Sequence, residues 1–233
     1  MTTTGTYAFN PSAADVVLQA FGMLGIRRAQ LTTEHLENAA YQAQMVGVDF
    51  TNRNPNRWQM ATLEIPLVAD DAVYDLQPET VAVSIVYIDT DDADSPQTRV
   101  LGPLSATEYA SLSNKEQTGV PTSYFFSLLT PTPTLTLWPV PSGTPDYTMR
   151  VQTFKQQQDV SLRNGYTLDT PYRFLDAFTF GLAARLAVYY PPEKGLDAGT
   201  LDGVYERKFA LAAALDQERV SINVTPGLTS YFR

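Results

Sequence analysis

The chain has 233 residues, 44% of them apolar, with 25 acidic and 16 basic side chains and no cysteine. That length buries a sizeable core without covalent staples, and the lack of cysteine excludes disulfides, thiolate nucleophiles and Cys-ligated metals. The net charge of −9 is concentrated: residues 58–98 hold nine acids and no Lys or Arg, which leaves 16 acids against 16 bases elsewhere, so a phosphate backbone is repelled from that stretch.

The opening MTTTGTYAFNPSAAD has neither a basic start nor an apolar core, and predicts no signal peptide. No apolar run approaches the ~18 residues of a membrane span. Helical period first appears over residues 12–24, with Val17, Ala20, Phe21 and Leu24 on one stripe. Ser12 and Asp15 have capping-box spacing, and Gly25 offers a left-handed stop. A second helix starts near Thr32, where Leu31 and Leu36 stand at staple positions; Leu36, Ala40, Ala43, Gly47 and Phe50 form its stripe. Gly47 costs about 1 kcal/mol against Ala there, which a close helix crossing explains, as does chance.

From Trp58 the period becomes two. ATLEIPLV and AVYDL read as strands joined at residues 69–71, and TVAVSIVYID follows with Val81, Val83, Ile85 and Tyr87 on one face. DTDDADSPQ is a polar turn, and LSATEYASL a short helix with a Ser105/Glu108 capping box and a Leu104/Tyr109 staple. TSYFFSLL, TLTLWPV and DYTMRVQTF are three further strands. In the proline-rich LTPTPTLTLWPVPSG, Pro133 and Pro139 bracket an alternating segment, where a strand tolerates proline best. Leu135 and Leu137 point one way and Thr134, Thr136 and Trp138 the other, which predicts a strand rather than a polyproline ligand. Helical period returns with Thr170 as cap and Pro171 at the first position, then Phe174, Phe178, Leu182, Leu186 and Tyr189. YYPPEKG breaks it. A last helix over residues 197–219 turns Leu201, Val204, Tyr205, Phe209, Ala212 and Leu215 inward, and residues 221–233 carry no stripe.

Amphipathic helices at both ends must bury their stripes, and sharing one interior is the economical solution. The predicted fold class is α+β: a four-helix bundle of two N-terminal and two C-terminal helices, with an inserted antiparallel β domain and an extended C-terminal tail. The predicted divisions are 1–57 and 166–219 for the halves of the bundle, 58–165 for the β domain and 220–233 for the tail.

No catalytic, cofactor or metal site is predicted. His35 is the sole histidine, so no zinc site or Ser-His pair is predicted, and no phosphate-binding glycine loop is present. DTDDADSPQTRV departs from a calcium loop, with Asp94 where Gly is required and Val100 where Glu is required. With 25 acids, some carboxylate pair always falls at the roughly 5–9.5 Å of a glycosidase, so composition alone leaves that chemistry open.

GVPTSYFF (residues 119–126), TLTLWPVPSG, DYTMRVQTFK, FLDAFTFGLAARLA and YERKFALAAALDQER, with AVYDLQP upstream, together resemble the head-to-tail adaptors of tailed phages, nearest the tail accessory factor and tail tubular protein A group of short-tailed phages. The resemblance implies a virion structural protein at the tail neck, made in the host cytoplasm: a homo-oligomeric, dodecameric ring docked on the portal protein. It further implies contact with a downstream tail or nozzle protein, no membrane, and DNA that passes through without specific binding. Family members grip the portal with an extended C-terminal segment, and the matching positions are Ile222, Val224, Leu228, Tyr231, Phe232 and Arg233. Asp70, Asp71, Asp89, Asp91, Asp92 and Asp94 are the acids expected to line the channel. The alternatives are a tail-associated, carboxylate-dependent peptidoglycan hydrolase and a carbohydrate- or protein-binding β module.

Overall fold

The computed structural model describes residues 5–6, 9–53, 57–90, 97–143, 146–163, 165–192 and 195–216. Helices α1 (Ala13–Met23) and α2 (Thr33–Arg53) lead into strands β1 (Met60–Pro66), β2 (Val73–Asp75), β3 (Thr80–Thr90), β4 (Thr98–Val100) and β5 (Gly102–Leu104). Helix α3 (Ala106–Ser111) precedes β6 (Thr118–Gly119), β7 (Ser123–Ser127), β8 (Thr134–Trp138), β9 (Val140–Pro141) and β10 (Tyr147–Lys155), and α4 (Tyr172–Tyr189) and α5 (Ala198–Asp216) follow.

Local chemistry sets the helix ends. Ser12 and Asp15 form the reciprocal capping box that starts α1, and Ser105 and Glu108 form the one that starts α3. At α2 the Thr32 hydroxyl accepts from the His35 backbone N–H (3.4 Å) while His35 Nδ1 accepts from the Thr32 N–H (3.2 Å), so the lone histidine plays the glutamate's part in a capping box. Asp197 accepts from the Thr200 N–H (3.1 Å) at the start of α5, and the Thr200 hydrogen bonds lower its carboxyl pKa. Thr170 does not cap α4: Pro171 is its N-cap residue, and the Thr170 hydroxyl is taken by the side chain of Gln157.

Residues of α1, α2, α4 and α5 contribute to one apolar cluster. Its centre is α4, with ten of 18 residues buried, packed by α5, α1 and α2, whereas α1 and α2 touch each other little. Phe50 of α2 reaches across, its ring centroid 5.8 Å from those of Phe174 and Phe178 and 5.1 Å from that of Phe209. Each such pair adds about 0.5–1.5 kcal/mol beyond area burial. Three stripe residues expected inside are exposed instead: Leu36, Tyr189 and Leu215. The buried row of α2 runs through Ala39, Ala43, Val46 and Phe50, one step round from the expected one. Gly47 faces no helix; a Cβ there would lie 3.2 Å from Gln157 Oε1, in the segment after β10.

Two four-stranded sheets share a second apolar cluster. One has the order β1-β10-β3-β4 and is antiparallel throughout; the other has the order β2-β8-β7-β5. Leu135 and Leu137 of β8 are buried as the alternation requires. On β3, Val86 and Ile88 face the interior rather than Ile85 and Tyr87. The cause is an irregularity opposite Gln152 and Thr153, where pairing skips from Ile85 to Val83 and leaves Ser84 as the extra residue. Such a bulge reverses the inward parity along the strand.

The expected fold class, a four-helix bundle with an inserted antiparallel β domain, is corrected by this architecture. The described residues form a mixed α+β structure with five α-helices and ten strands in three sheets. β5 pairs β7 and β6 pairs β9 in parallel, and α3 lies within the β region. Parallel partners are joined by long connections rather than hairpins, so period-two patterning carries no sign of them.

The α4–α5 seam generates two predictions. At Gly181 a Cβ would meet ring carbons of Tyr205 at 3.0 and 3.1 Å, and that ring is buried with its hydroxyl donating to Asp49. Gly181→Ala is expected to destabilise by about 1–3 kcal/mol in urea unfolding. Gly203→Ala, where nothing lies within 4 Å, is expected to stabilise by about 0.5–1 kcal/mol; changes of the same sign would contradict the close crossing. The second prediction concerns pH. Burial raises the phenol pKa of Tyr205, reinforced by the hydrogen bond to Asp49, and burial also raises Tyr74 and Tyr124. A raised folded-state pKa gives stability that is complete below the unfolded value of about 10 and is lost as pH climbs from there through the folded values. The unfolding midpoint should therefore fall above pH ~10, and less steeply in Tyr205→Phe; an unchanged slope in that variant would remove Tyr205 from the account.

Candidate functional site

β10 joins the two parts of the molecule. Its Lys155 end runs into the helices, and its Tyr147 end lies about 25 Å away at strand rise. Several turns meet at the far end. The Leu67 N–H donates to Tyr147 O (2.9 Å), the Asp70 N–H donates to Pro141 O (3.0 Å), and Thr90 pairs with Tyr147. Gly143 is required there: its φ is +75°, and a Cβ would stand 2.6 Å from that of Ala69. Asp70 itself adopts φ 61°, a conformation that Asp tolerates better than most residues.

Asp70, Asp71 and Asp89 gather at this end; Asp91, Asp92 and Asp94 lie outside the described residues. The acidic segment is not uniformly bare. Arg150 sits on β10 between β1 and β3, with Nε 3.2 Å from Glu64 Oε1 and 3.2 Å from Asp89 Oδ2. Neither contact has hydrogen-bond geometry at Nε, so the attraction there is ionic. A hydrogen bond with Tyr87, then the charges of Glu64 and Asp89, raise the guanidinium pKa. Lys155 lies 3.3 Å from Glu79, whose carboxyl is held below its usual range by its own backbone N–H and by Lys155. Asp70, Asp71 and Asp75 have no cationic partner among the described residues; the Asp71 carboxylate accepts from the Val73 N–H (3.2 Å) and its backbone carbonyl from the Tyr74 hydroxyl (3.1 Å).

The sequence held a signal for Arg150, a lone cation on the outward parity of DYTMRVQTF, but its partners depend on cross-strand register. A second group escaped notice where β10 leaves the sheet. The Gln44 side chain donates to Asp159 Oδ1 (2.9 Å) and accepts from the Val160 N–H (2.8 Å). Gln157, 5% exposed, donates from Nε2 to Asp169 O (3.0 Å) and to the Thr170 hydroxyl. These amides tie the strand exit to α2 and to the start of α4. Beside them opens a cleft of about 430 Å³, with Trp58, Met60, Lys155 and Asp169 among its lining.

At the end of α5, the Asp216 carboxylate accepts from Arg173, whose guanidinium lies 5.7 Å from the ring centroid of Trp58. The expected portal-binding residues Ile222, Val224, Leu228, Tyr231, Phe232 and Arg233 lie outside the described residues. Large apolar side chains stand exposed on the helices: Leu211 and Leu215 on α5, Val188 on α4, and Tyr41 and Val48 on α2.

Among the described residues no group of three or more His, Cys, Asp or Glu side chains could hold a metal ion. No helix there is long and apolar enough to cross a membrane. The carboxyls of Glu79, Glu108 and Asp197 shift downward, each chiefly through hydrogen bonds with backbone or side-chain donors; a general acid needs the opposite shift.

A family model described as SU10 adaptor protein matches residues 13–227. No curated protein matches the chain. The match opens on the first residue of α1 and runs past the end of α5. The chain therefore belongs to the SU10 adaptor protein family, a family of phage head–tail adaptors, which are generally structural parts of the virion and interact with other virion proteins.

Proposed function

We propose that this phage adaptor assembles as a homo-oligomeric, dodecameric ring that docks on the portal, links the capsid to a downstream tail protein and surrounds the DNA exit path. The observation that carries the ring is the unpartnered apolar surface of its helices. On α5, Leu211 is 63% exposed and Leu215 69%, and on α4 Val188 is 72% exposed. A helix apolar on both faces belongs in an interior, and large apolar side chains left exposed on it suit contact with another chain. In this reading residues 1–57 and 166–219 act as one unit and residues 58–165 as another.

The acidic tip supports the channel role. Asp70 and Asp71, with no cation against them among the described residues, and Asp89, which Arg150 meets, sit at the end of the sheet far from the helices. Repeated around a ring, such a surface keeps DNA from adhering, within a screening distance of ~8 Å at physiological salt; Asp91, Asp92 and Asp94 belong to the same proposal. The tail supports portal docking: Ile222, Val224, Leu228, Tyr231 and Phe232 supply apolar groups in a segment with no helical stripe, and Arg233 adds a cation, as suits a strand or loop that orders on binding.

The test is imaging and co-sedimentation of the purified protein with portal. Rings that form on the portal, and lose it when residues 221–233 are deleted, are the expected result. Undiminished portal binding by the truncated chain would remove the tail's role, and a protein that stays monomeric on the portal would remove the ring. The acids are tested by their place in that ring: Asp70, Asp71 and Asp89 on its outer rim would end the channel-lining assignment.

A further inference from the structure

The sheet edges are unequal. β4, β2 and β5 are each three residues long, whereas β1 runs for seven. Short edge strands are a common defence against unwanted pairing, and β1 lacks it. All seven of its residues pair with β10, and no described residue pairs with its other side. Every second N–H and C=O along that side therefore has no strand partner among the described residues, with Pro66 blocking only the end away from the helices. The core is open here too. Leu63 and Ile65 pack against the cluster between the sheets but remain only partly buried.

One segment of the chain has the chemistry to close this edge. Residues 220–225, VSINVT, lie outside the described residues; Val220, Ile222 and Val224 alternate with Ser221, Asn223 and Thr225, and Pro226-Gly227 follows. All three apolar members are β-branched, the type favoured on a half-buried pleat. The point of exit fits as well. α5 ends at Asp216 on Arg173, Arg173 covers Trp58, and Trp58 stands two residues before the first residue of β1. Residues 217–219 reach about 10 Å when extended, which carries the chain from there to the start of the edge. A strand entering at Met60 and leaving toward Pro66 runs parallel to β1.

We propose that residues 220–225 of the same chain add to the free edge of β1 as a fifth, parallel strand, with Val220, Ile222 and Val224 closing over Leu63 and Ile65. Joining a segment tethered so near its edge is an intramolecular event at high effective concentration. The strand and the portal cannot both hold Ile222 and Val224, so in this proposal portal docking falls to Leu228, Tyr231, Phe232 and Arg233, which lie beyond the strand.

The absence of native cysteine makes a direct test possible in the full chain. Thr62→Cys combined with Ser221→Cys or with Asn223→Cys is oxidised in dilute solution. Hydrogen exchange of the β1 amides is then compared between the parent and Ile222→Pro. An intramolecular disulfide is expected from at least one pair, and none from Val73→Cys on the edge of the other sheet. In the parent, the outward amides of residues 60–65 should exchange at least about tenfold more slowly than in Ile222→Pro. A disulfide only between two molecules, equal cross-linking from Val73→Cys, or β1 exchange indifferent to Ile222→Pro would each overturn the proposal. Loss of portal binding on deleting residues 221–233 without any change in β1 exchange would uphold docking by the tail and overturn the strand.

Discussion

α4 is apolar on nearly every side, and that fact governs the rest of the molecule. A helix of this kind is stable only when covered all round. α5, next in sequence, covers one side; the others are covered by α1 and α2, more than 100 residues upstream. The chain must therefore come back to where it left, and the strand that leaves α2 ends up paired with the strand that returns to α4, Met60 opposite Phe154. Closing a loop of that size costs about 4 kcal/mol in chain entropy. Burying one large apolar side chain returns about 1.5–3 kcal/mol, and the group around Phe50 holds Phe174, Phe178, Tyr205 and Phe209 together. The aromatic cluster thus outweighs the closure it requires.

Apolar packing does not by itself fix how the sheets sit on the helices; directional bonds do. Gln157 points one buried amide at both Asp169 and Thr170, and Gln44 holds Asp159 and Val160. If the β region turned so as to break the bonds of Gln157, it would leave a buried amide unpaired, at about 1–3 kcal/mol. A neutral amide suits this position better than a charge, whose burial without a partner costs more. Gly47 belongs to the same joint, because a Cβ at that position would stand 3.2 Å from Gln157 Oε1.

Signals confined to one turn of chain were legible in the sequence: the capping boxes at Ser12 and Ser105, the stop at Gly25 (φ +77°), and the alternation of Leu135 and Leu137 between prolines. What depends on partners was not. Ser84 is an ordinary small residue in TVAVSIVYID, yet as a bulge it decides which face of β3 is buried, and that is settled by pairing with β10. Leu215 lies on a helix whose end, FALAAAL, is apolar at nearly every position, so periodicity could not choose a face. The parallel pairs β5–β7 and β6–β9 join segments separated by a helix or by other strands, and they made the expected antiparallel insertion wrong. Of the candidate acids, clustering in sequence was visible, but the cation that meets Glu64 and Asp89 comes from a strand some sixty residues on from Asp89.

Arg150 changes what the acidic segment can do. The composition reads as one continuous negative face, but at Glu64 and Asp89 the charge is met by a guanidinium within 3.2 Å, and at Glu79 by Lys155. These pairs are partly exposed and so contribute little stability; their effect is to flatten the field along the sheet and, at Asp89, beside its tip. Net negative potential is left to the tip, around Asp70 and Asp71. Because the field of a surface charge fades over ~8 Å at physiological salt, a polyanion passing the flank of the sheet feels little, while one passing the tip is repelled. The same chain thus carries a near-neutral flank, on which the unblunted edge of β1 can accept another strand without charge opposition, and a repulsive point where no partner of like charge can adhere.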